Sequence, residues 1–435
     1  MRNKKRLHIH FMGIGGSGVS GVSILAYKEG FRVSGCDLER ESPYLPKVRK
    51  YISEIYVGHE VSHLGGIDLV VVSPAVFFQS ADSNEVIEAK KRGILITWQE
   101  FLGKYLHRGK KVIAVTGTHG KSTTTAMVGK LLEDAGLDPL VSLGAKVESW
   151  EGSTRFGKAK YFVTEADEFY DNFLNYYPEI IILNNIEFDH PDYFKDEESV
   201  LDSFRKFVGN LRGEKVLIVN EDDPGVKKLL ESLDLNNIRL IKYNPKKDNL
   251  GFNLKVPGKH NIANALGVVA LGKYLRIKDS LVEKSLKNFI GVGRRMELIG
   301  ESRGVKIYDD YAHHPTAIAA TLSAIRQRYP NSKIWALVEA HGYQRTKALL
   351  KNYGGVFSDA DEVIVGPIFR ARDLETFGIS EESIVKASKK ENARAIKSLT
   401  KIIEILKEEI KKGDIVLVMG AGKSYDWSRR ILKSL

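Results

Sequence analysis

TGTHGKSTTT, residues 116–125, follows the apolar run VIAV at residues 112–115. The apolar run predicts a buried β-strand, and two glycines bound a tight turn before a helix that opens at Lys121 and Ser122. Such a turn presents consecutive backbone N–H groups beside the positive end of the helix, so a polyphosphate binds there. In loops of this kind the lysine reaches the outer phosphates and the hydroxyl holds magnesium. The stretch therefore predicts an ATP site on an α/β domain.

The composition excludes several classes of protein. The 435 residues are 43% hydrophobic and 28% charged, which is typical of a globular protein of two to four domains. No apolar run approaches membrane-spanning length, and Leu7–Met12, behind the basic N-terminus, is too short for a signal sequence. A single cysteine, Cys36, excludes an internal disulfide and predicts a cytoplasmic protein.

The net charge of +11 suits a protein that handles anionic nucleotides and sugar phosphates. It also permits nucleic-acid binding, but lysines such as those in 386–390 and 407–412 are interleaved with glutamates along helices. That pattern indicates solvated helix faces more than a basic track with stacking aromatic residues. We therefore expect neither a nucleic-acid partner nor a membrane partner.

Strands and helices alternate along the chain, which predicts parallel sheets with ligands at the carboxyl ends of the strands. The pattern divides into three segments, for which we predict domains at 1–107, 108–293 and 294–435, with Lys104–Lys111 as the first linker. A hinge is expected near Gly291–Gly293. The other predicted strands are Leu7–Met12, Arg32–Gly35, Asp68–Val72, Ile94–Ile96, Tyr161–Thr164, Ile180–Leu183, Lys215–Val219, Val305–Tyr308, Ile334–Val338, Glu362–Val365 and Asp414–Met419.

A second glycine-rich turn, Gly13-x-Gly15-x-x-Gly18, lies between the first strand and the first helix, and Asp37 ends the next strand. Glycines allow a pyrophosphate to approach the backbone closely, and Asp37 is placed for a ribose hydroxyl. NAD(P) and a UDP-sugar both satisfy these residues. A turn that only packs the helix tightly on the sheet is the structural alternative.

Two acidic stretches follow later strands, EADE at 165–168 and NNIEFDH at 184–190. Carboxylates at a strand end beside a phosphate loop bind magnesium, and His190 reaches the same edge of the sheet. A capped polar loop explains either stretch alone. Because both follow the phosphate loop in order, they predict one metal–phosphate site.

Further polar groups follow in the second half of the chain. His260 and Asn264 lie one helical turn apart, so both face one side and suit an adenine edge, although a helix cap explains the asparagine equally well. Arg294 and Arg295 suit a developing phosphoryl charge. The stretch DDYAHHP at 309–315 puts two histidines on a loop at a strand end, with a spacing that matches no zinc pattern.

His341 and Arg345 follow a strand of the third segment and lie one turn apart if the stretch is helical. That spacing suits a bound carboxylate, and surface capping is the alternative.

These stretches, in this order, resemble the Mur ligases of bacterial cell-wall synthesis over essentially the whole chain. The similar residues are HFMGIGGSGVSG (10–21), SGCD (34–37), VVSPAV (71–76), GTHGKSTTT (117–125), EADE (165–168), NNIEFDH (184–190), HNIANAL (260–266), GVGRRMEL (291–298) and DDYAHHPTAI (309–318). The resemblance implies a three-domain α/β fold with a Rossmann-like UDP-binding domain, a central P-loop ATPase-like domain and a C-terminal Rossmann-like domain.

The resemblance also implies the roles of individual residues, with ATP and Mg²⁺ as cofactors. The implied catalytic residues are Lys121, His190, Arg295 and His314. The implied ATP-binding residues are Gly117, Thr118, His119, Gly120, Lys121, Ser122, Thr123, His260, Asn264, Arg295 and Asp310. The implied magnesium ligands are Ser122, Glu165 and His190. The expected substrate-binding residues are Gly13, Gly15, Gly16, Ser17, Gly18, Asp37, Ser73, His341 and Arg345.

The resemblance implies an amide-forming reaction in which ATP activates the carboxylate of UDP-N-acetylmuramate and L-alanine attacks the acyl phosphate, in a monomer or homodimer. Where alanine-adding members have His-Arg-Tyr-x-Arg, this chain has Gly342 in place of the middle arginine, which opens space for a larger acceptor. LNNIEFDH (183–190) and YDDYAHHPTAIAATL (308–322) look like members that attach L-Ala-γ-D-Glu-diaminopimelate instead. An NAD(P)-dependent dehydrogenase is the alternative from another class, but it leaves the phosphate loop without a purpose.

Overall fold

Three sheets, one from each predicted segment, organise the chain. The computed structural model describes residues 7–42, 44–150 and 152–435, so the basic stretch at 1–6 lies outside the described residues. In each sheet, neighbouring residues of a central strand point into different apolar clusters, as Ala114 and Val115 do in the second sheet. Both faces of each sheet are therefore buried, as expected for parallel α/β folds.

The first sheet carries the glycine-rich turn directly after its central strand. Its elements are β1 (His8–Met12), α1 (Ser17–Lys28), β2 (Arg32–Asp37), α2 (Leu45–Val48), β3 (Ile55–Val57), β4 (Leu69–Val72), α3 (Pro74–Gln79), α4 (Asn84–Lys91), β5 (Leu95–Thr97) and α5 (Trp98–Phe101). The strand order is β3-β2-β1-β4-β5, and every neighbouring pair is parallel. The order changes direction at β1, where an open parallel sheet binds its ligand.

The second sheet carries the phosphate loop. Its elements are β6 (Lys111–Thr116), α6 (Lys121–Asp134), β7 (Leu140–Val147), β8 (Gly152–Arg155), β9 (Tyr161–Glu165), β10 (Ile180–Leu183), α7 (Glu197–Gly209), β11 (Val216–Asn220), α8 (Pro224–Glu231), β12 (Arg239–Tyr243), α9 (Lys259–Tyr274) and α10 (Asp279–Asn288). The strand order is β12-β11-β10-β6-β9-β7-β8. Among the described residues of this sheet, only the edge strand β8 pairs antiparallel with its neighbour.

The third unit contains the third sheet. Its elements are β13 (Glu297–Ser302), β14 (Val305–Asp310), α11 (Pro315–Arg328), β15 (Ile334–Glu339), α12 (Tyr343–Leu349), β16 (Glu362–Val365), α13 (Glu381–Ser388), β17 (Ala393–Ala395), α14 (Leu399–Glu409), β18 (Ile415–Gly420) and α15 (Ser424–Ser434). The strand order is β13-β14-β18-β15-β16-β17, with β13 as an antiparallel edge strand.

The predicted strands are present with bounds that differ by at most two residues, and the predicted three-unit α/β architecture is confirmed. The two antiparallel edge strands, β8 and β13, were not predicted. Within the described residues, no helix is both long and apolar enough to cross a bilayer.

The predicted linker Lys104–Lys111 is packed over its first half instead of solvated. Residues 102–106 form a π-helical turn, and Leu106 and His107 are buried. The His107 ring lies edge-on to Phe162 and Tyr176, with ring centroids 4.6 and 5.0 Å away. Neither ring nitrogen of His107 has a hydrogen-bond partner among the described residues, and burial lowers its pKa to about 3.

The His107 pKa predicts that part of the protein's acid sensitivity resides at this residue. Its pKa is lower in the folded than in the unfolded chain, so its contribution to stability is present above pH 6.5 and is lost as the pH falls towards 3. A His107→Phe variant should therefore lose about 2 kcal/mol less stability than the parent between pH 7.5 and pH 5. Urea unfolding of both proteins at the two pH values measures this difference, and any steric cost of the larger ring affects both values alike. Equal losses in parent and variant would contradict the assignment.

Candidate active site

Three adjacent strands of the second sheet bring the predicted site together. In the order β10-β6-β9, β6 lies between the strands that precede the two acidic stretches, and both pairs are parallel. The carboxyl ends of these strands therefore meet at one edge, with the phosphate loop between EADE and NNIEFDH. The predicted juxtaposition of the three motifs is confirmed.

The phosphate loop requires glycine at two positions. Gly117 has a φ of +136° and Gly120 a φ of +80°, a region that other residues rarely adopt. A Cβ on Gly120 would lie 2.4 Å from Asn264 Oδ1. The side chain of Asn185 holds the turn between them, because its Oδ1 accepts from the backbone N–H of His119 at 2.7 Å and its Nδ2 donates to the carbonyl of the same residue at 3.2 Å. The turn is thus packed against two asparagines.

Lys121 lies at the start of α6 among carboxylates, with 12% of its side chain exposed. Its ammonium donates to Glu168 at 2.7 Å and lies 3.3 Å from Asp167. Burial lowers the pKa of Lys121, but the charges of Glu168 and Asp167 outweigh it and hold that pKa above its ordinary value. Lys121 therefore stays charged, as a group that contacts phosphate must.

Glu168 is 2% exposed, and its Oε1 has no hydrogen-bond partner among the described residues. Burial raises its pKa. With Glu165 and Asp167, it gives the pocket three carboxylates against the single ammonium of Lys121. Of the three, only Glu168 is buried, and the local excess of negative charge fits a divalent cation.

Ser122 and Glu165 supply the hard oxygen atoms that magnesium prefers. The Ser122 hydroxyl donates to the two Glu165 oxygens at 3.0 and 2.9 Å, and the backbone N–H of Gly144 donates to Oε2 at 2.6 Å. The third predicted ligand, His190, has its ring 4.3 Å from the ring of Phe169 and its Nε2 3.9 Å from Asp189. Joint ligation by Ser122, Glu165 and His190 stays a prediction.

Glu187 joins the phosphate loop to the third unit, a role that sequence reasoning missed. Its Oε2 lies 2.9 Å from Nε2 of His119, and its Oε1 accepts from the Thr316 hydroxyl at 2.6 Å. His314 Nδ1 lies 3.8 Å from the same carboxylate, and one ligand atom each from His119, Glu187 and His314 lie within 4.8 Å of one another. The stretch NNIEFDH was recognised, but nothing in its sequence marked Glu187 as the residue that reaches another sheet.

His314 caps the helix that opens the third unit. Its Nδ1 accepts from the backbone N–H of Thr316 at 3.3 Å, and its Nε2 has no partner among the described residues. Burial lowers its pKa to about 4, so the imidazole is neutral at pH 7. Because Nδ1 accepts a hydrogen bond, the proton of the neutral ring is on Nε2, which can donate at the site without adding charge.

The predicted adenine pair lies beside the phosphate loop. Asn264 faces Gly120 and donates from Nδ2 to Asn261 at 3.4 Å. Burial lowers the pKa of His260 to about 4, and the positive charge of Arg295 acts in the same direction. The placement brings both residues to the nucleotide loop, and their contact with adenine stays a prediction.

The two neighbouring arginines have different environments. Arg294 is held inside the third unit by Asp309 at 3.1 Å and by the carbonyl of Gly420 at 2.8 Å. Both arginines lie over the ring of Tyr311, Arg294 at 5.0 Å and Arg295 at 4.7 Å. Burial raises the pKa of Asp310, and the charge of Arg295 opposes that rise, while the same charge lowers the pKa of His260 in the second unit. Arg295 is therefore the arginine positioned between the second and third units.

Arg345 has a protein carboxylate as its partner. Its Nη2 lies 2.5 Å from Asp189 Oδ2, and both residues are buried. Burial raises the pKa of Asp189, but Arg345 outweighs it and holds that pKa far below its ordinary value. Burial lowers the pKa of His341 to about 4. The predicted role of His341 and Arg345 as a clamp for a substrate carboxylate stays a prediction, and Arg345 also connects two units.

Gly342 immediately precedes α12 and has a φ of +81°. A Cβ there would lie 3.3 Å from Asp373 Oδ2. Asp373 accepts from the first backbone N–H groups of α12. An arginine at this position would therefore face backbone strain as well as crowding, so the glycine belongs to the local backbone geometry.

The glycine turn of the first unit is braced by Asp37. One carboxylate oxygen accepts from the backbone N–H of Gly15 at 2.8 Å, and the other accepts from the backbone N–H of Glu39 at 3.2 Å. A Cβ on Gly13, whose φ is +72°, would lie 3.1 Å from the Cβ of Ser73, the residue that caps α3. The predicted substrate residues Gly13, Gly15, Gly16, Ser17, Gly18, Asp37 and Ser73 thus surround one turn.

The fold and the site define a three-unit α/β protein of the nucleotide-using class. Family models match three consecutive parts of the chain: the Mur ligase family catalytic domain at 8–110, the Mur ligase middle domain at 115–250 and the Mur ligase glutamate ligase domain at 294–422. The chain belongs to the Mur ligase family.

Two curated relatives match nearly the full chain. UDP-N-acetylmuramate–L-alanine ligase from Alkaliphilus metalliredigens is 37% identical over 96% of this chain and 95% of the relative. The ligase of the same name from Pelotomaculum thermopropionicum is 36% identical over 99% of this chain and 98% of the relative.

Two solved structures share the fold over 98% of both chains. UDP-N-acetylmuramate-alanine ligase from Thermotoga maritima matches with a TM-score of 0.77 and 26% identity. A murein peptide ligase from Psychrobacter arcticus matches with a TM-score of 0.71 and 25% identity.

The packing of Gly120 predicts a specific loss of nucleotide binding. A Gly120→Ala variant should bind nucleotide at least about tenfold more weakly, because the new Cβ displaces the loop from Asn264. Gly136→Ala is the matched control, since Gly136 follows the same helix with a φ of +71° and open space around its Cβ position. Both variants take on the backbone strain of about 1 kcal/mol, so calorimetric titration with an ATP analogue separates loop geometry from stability. Equal affinities in the two variants would contradict the prediction.

The buried pair Asp189–Arg345 predicts strong coupling between two units. Arg345→Met leaves Asp189 buried without its counter-charge and should destabilise the protein by about 3 kcal/mol, whereas Asp189→Asn with Arg345→Met should recover much of that loss. A double-mutant cycle followed by urea unfolding measures the coupling. Additive costs of the two single variants would show that the pair contributes nothing.

Proposed function

We propose that this chain joins L-alanine to the carboxylate of UDP-N-acetylmuramate at the expense of ATP, forming a peptidoglycan precursor. The observation that carries the proposal is Lys121 in a glycine-bounded loop, held by Glu168 next to the Ser122–Glu165 pair. The curated relatives of 36–37% identity over nearly the whole chain bear this activity in their names.

The reaction proceeds in two steps. A carboxylate oxygen of UDP-N-acetylmuramate attacks the γ-phosphorus of ATP, ADP leaves, and an acyl phosphate forms. The amine nitrogen then attacks the acyl carbon, and the tetrahedral intermediate loses phosphate and a proton to give the amide. Positioning and charge stabilisation account for most of the rate in such transfers.

The chain's own residues supply that positioning. Lys121 and the backbone N–H groups of the loop hold the β- and γ-phosphates. Ser122, Glu165 and His190 would hold Mg²⁺, which would neutralise phosphate charge. Arg295 and His314 approach from the third unit, and His314 lies next to Glu187. The remaining contacts to the nucleotide come from His260, Asn264 and Asp310.

The glycine turn of the first unit binds the UDP portion of the substrate, with Asp37 bracing Gly15. We assign this function to residues 1–107, ATP binding to 108–293 and the amine acceptor to 294–435. His341 and Arg345 orient the acceptor carboxylate. The single cysteine and the nucleotide substrates support a cytoplasmic location, as a monomer or homodimer.

A second acceptor, L-Ala-γ-D-Glu-diaminopimelate, is favoured by one observation. Gly342 stands where alanine-adding members have an arginine, and the murein peptide ligase from Psychrobacter arcticus shares the fold with a TM-score of 0.71. The backbone φ of +81° would strain any other residue at this position, so local geometry alone explains the glycine. L-alanine therefore remains the proposed acceptor.

Phosphate release identifies the acceptor. Enzyme, ATP, Mg²⁺ and UDP-N-acetylmuramate are incubated with each amino acid or with the tripeptide, and we expect release with L-alanine. Turnover with the tripeptide and none with L-alanine would overturn the assignment in favour of the peptide acceptor.

Replacement of Lys121 tests the role of the phosphate loop. Lys121→Ala should lower kcat by at least about a thousandfold while the circular dichroism spectrum stays unchanged. Lys130→Ala is the control on the same helix, because Lys130 pairs with Glu133 at the surface and should have no effect on rate. Retained activity in Lys121→Ala would refute the assigned role.

A further inference from the structure

A second cluster of chemically reactive side chains lies in the first unit, away from the phosphate loop. It contains His10 on β1, Cys36 on β2, His63 in the helical turn Val61–Leu64 and Glu85 in the first turn of α4. One ligand atom from each of these four residues lies within 4.8 Å of every other. We call these four residues the His-Cys-Glu cluster.

The distances within the His-Cys-Glu cluster are those between ligands that share one small metal ion. His10 Nε2 lies 3.3 Å from Cys36 Sγ and 3.1 Å from Glu85 Oε1, and His63 Nδ1 lies 3.4 Å from the same Glu85 oxygen. Cys36 Sγ lies 3.4 Å from Glu85 Oε2. Tetrahedral zinc with bonds of about 2.0–2.3 Å separates its ligand atoms by roughly 3.3–3.7 Å.

The cluster is buried, and its charge is suited to a dication. The side chains of His10 and Glu85 are 0% exposed, and that of His63 is 9% exposed. Within the described residues, the ion-pair partners of Glu85 are all histidines, so neither lysine nor arginine neutralises this carboxylate. A carboxylate and a thiolate together carry two negative charges, which balance one Zn²⁺ in an interior that tolerates no net charge.

The metal-free cluster carries signs of incomplete satisfaction. Glu85 Oε1 is buried and lacks a hydrogen bond among the described residues, although His10 Nε2 lies 3.1 Å away. A zinc ion would take up a lone pair of this oxygen and one of Cys36 Sγ, and the thiol proton would pass to solvent.

We propose that His10, Cys36, His63 and Glu85 form a structural zinc site in the first unit. Two histidines, one thiolate and one carboxylate fill all four positions of a tetrahedral zinc ion, which is typical of structural sites. His59 lies next to the site, with its Nδ1 3.1 Å from Cys36 Sγ and 3.7 Å from Glu85 Oε2, and orients those two ligands. The ion joins the turn Val61–Leu64 and α4 to the central strands.

The site also connects to the glycine turn. The carbonyl of Cys36 accepts from the backbone N–H groups of Gly13 and Ile14 at 2.8 and 3.1 Å, and the next residue is Asp37. A metal at the Cys36 side chain therefore fixes the strand end that supports the turn.

Cobalt titration of the full-length protein tests the site directly. The chain has one cysteine, so a sulfur-to-cobalt charge-transfer band reports only Cys36. Protein stripped by a chelator is titrated with Co²⁺ in excess Mg²⁺, and we expect this band to saturate at one equivalent and to disappear on addition of Zn²⁺. The cluster of His119, Glu187 and His314 holds no sulfur and contributes no such band.

Variants separate ligation from folding. Cys36→Ser should abolish the band, and Glu85→Gln should weaken cobalt binding about tenfold or more. Glu88→Gln is the matched control on α4, because Glu88 pairs with Arg92 at the surface, and it should bind cobalt as the parent does. Zinc should raise the melting temperature of the parent and of Glu88→Gln but not that of Cys36→Ser. A folded parent that shows no charge-transfer band, or whose melting temperature does not respond to zinc, would overturn the proposal.

Discussion

The ion pair between the Lys121 ammonium and the buried Glu168 carboxylate is the interaction on which the central site depends. Glu168 can be buried only because Lys121 lies beside it, and the two meet because β9 is the parallel neighbour of β6. The same register brings Glu165 to Ser122. A strand order that separated β6 from β9 would leave a buried charge without partners. The order of the strands and the balance of charge around Lys121 therefore depend on each other.

The loop after β10 extends this constraint to the third unit. Glu187 contacts the phosphate loop on one side and Thr316 on the other, and Asp189 pairs with Arg345. Two carboxylates of one short loop thus meet two different helices of the third unit, α11 and α12. Under the proposed function, this arrangement couples the residues assigned to phosphate to those assigned to the acceptor carboxylate.

The sequence predicted the features that depend on local pattern, and missed those that depend on distant pairing. The strands predicted from apolar runs lie within two residues of their observed bounds, whereas β3, β7, β8, β12, β13 and β17 were not predicted. The parallel order explains why three motifs share one edge. The edge strand β8 was missed because its residues Gly152–Arg155 carry no apolar alternation. The partner of Arg345 lies 156 positions away, and no local signal indicates that pairing. The four residues of the His-Cys-Glu cluster are also far apart in sequence, and they meet only because two strands, the turn Val61–Leu64 and α4 pack together.

Transfer of oxygen from substrate to phosphate tests the central claim most directly. UDP-N-acetylmuramate labelled with ¹⁸O in its carboxylate is converted with ATP and L-alanine, and the released phosphate is analysed by mass spectrometry. Because a carboxylate oxygen bonds to the γ-phosphorus before the amine attacks, the account predicts one ¹⁸O atom in each phosphate released. Amide formation that yields phosphate without the label would contradict activation of the carboxylate at this site.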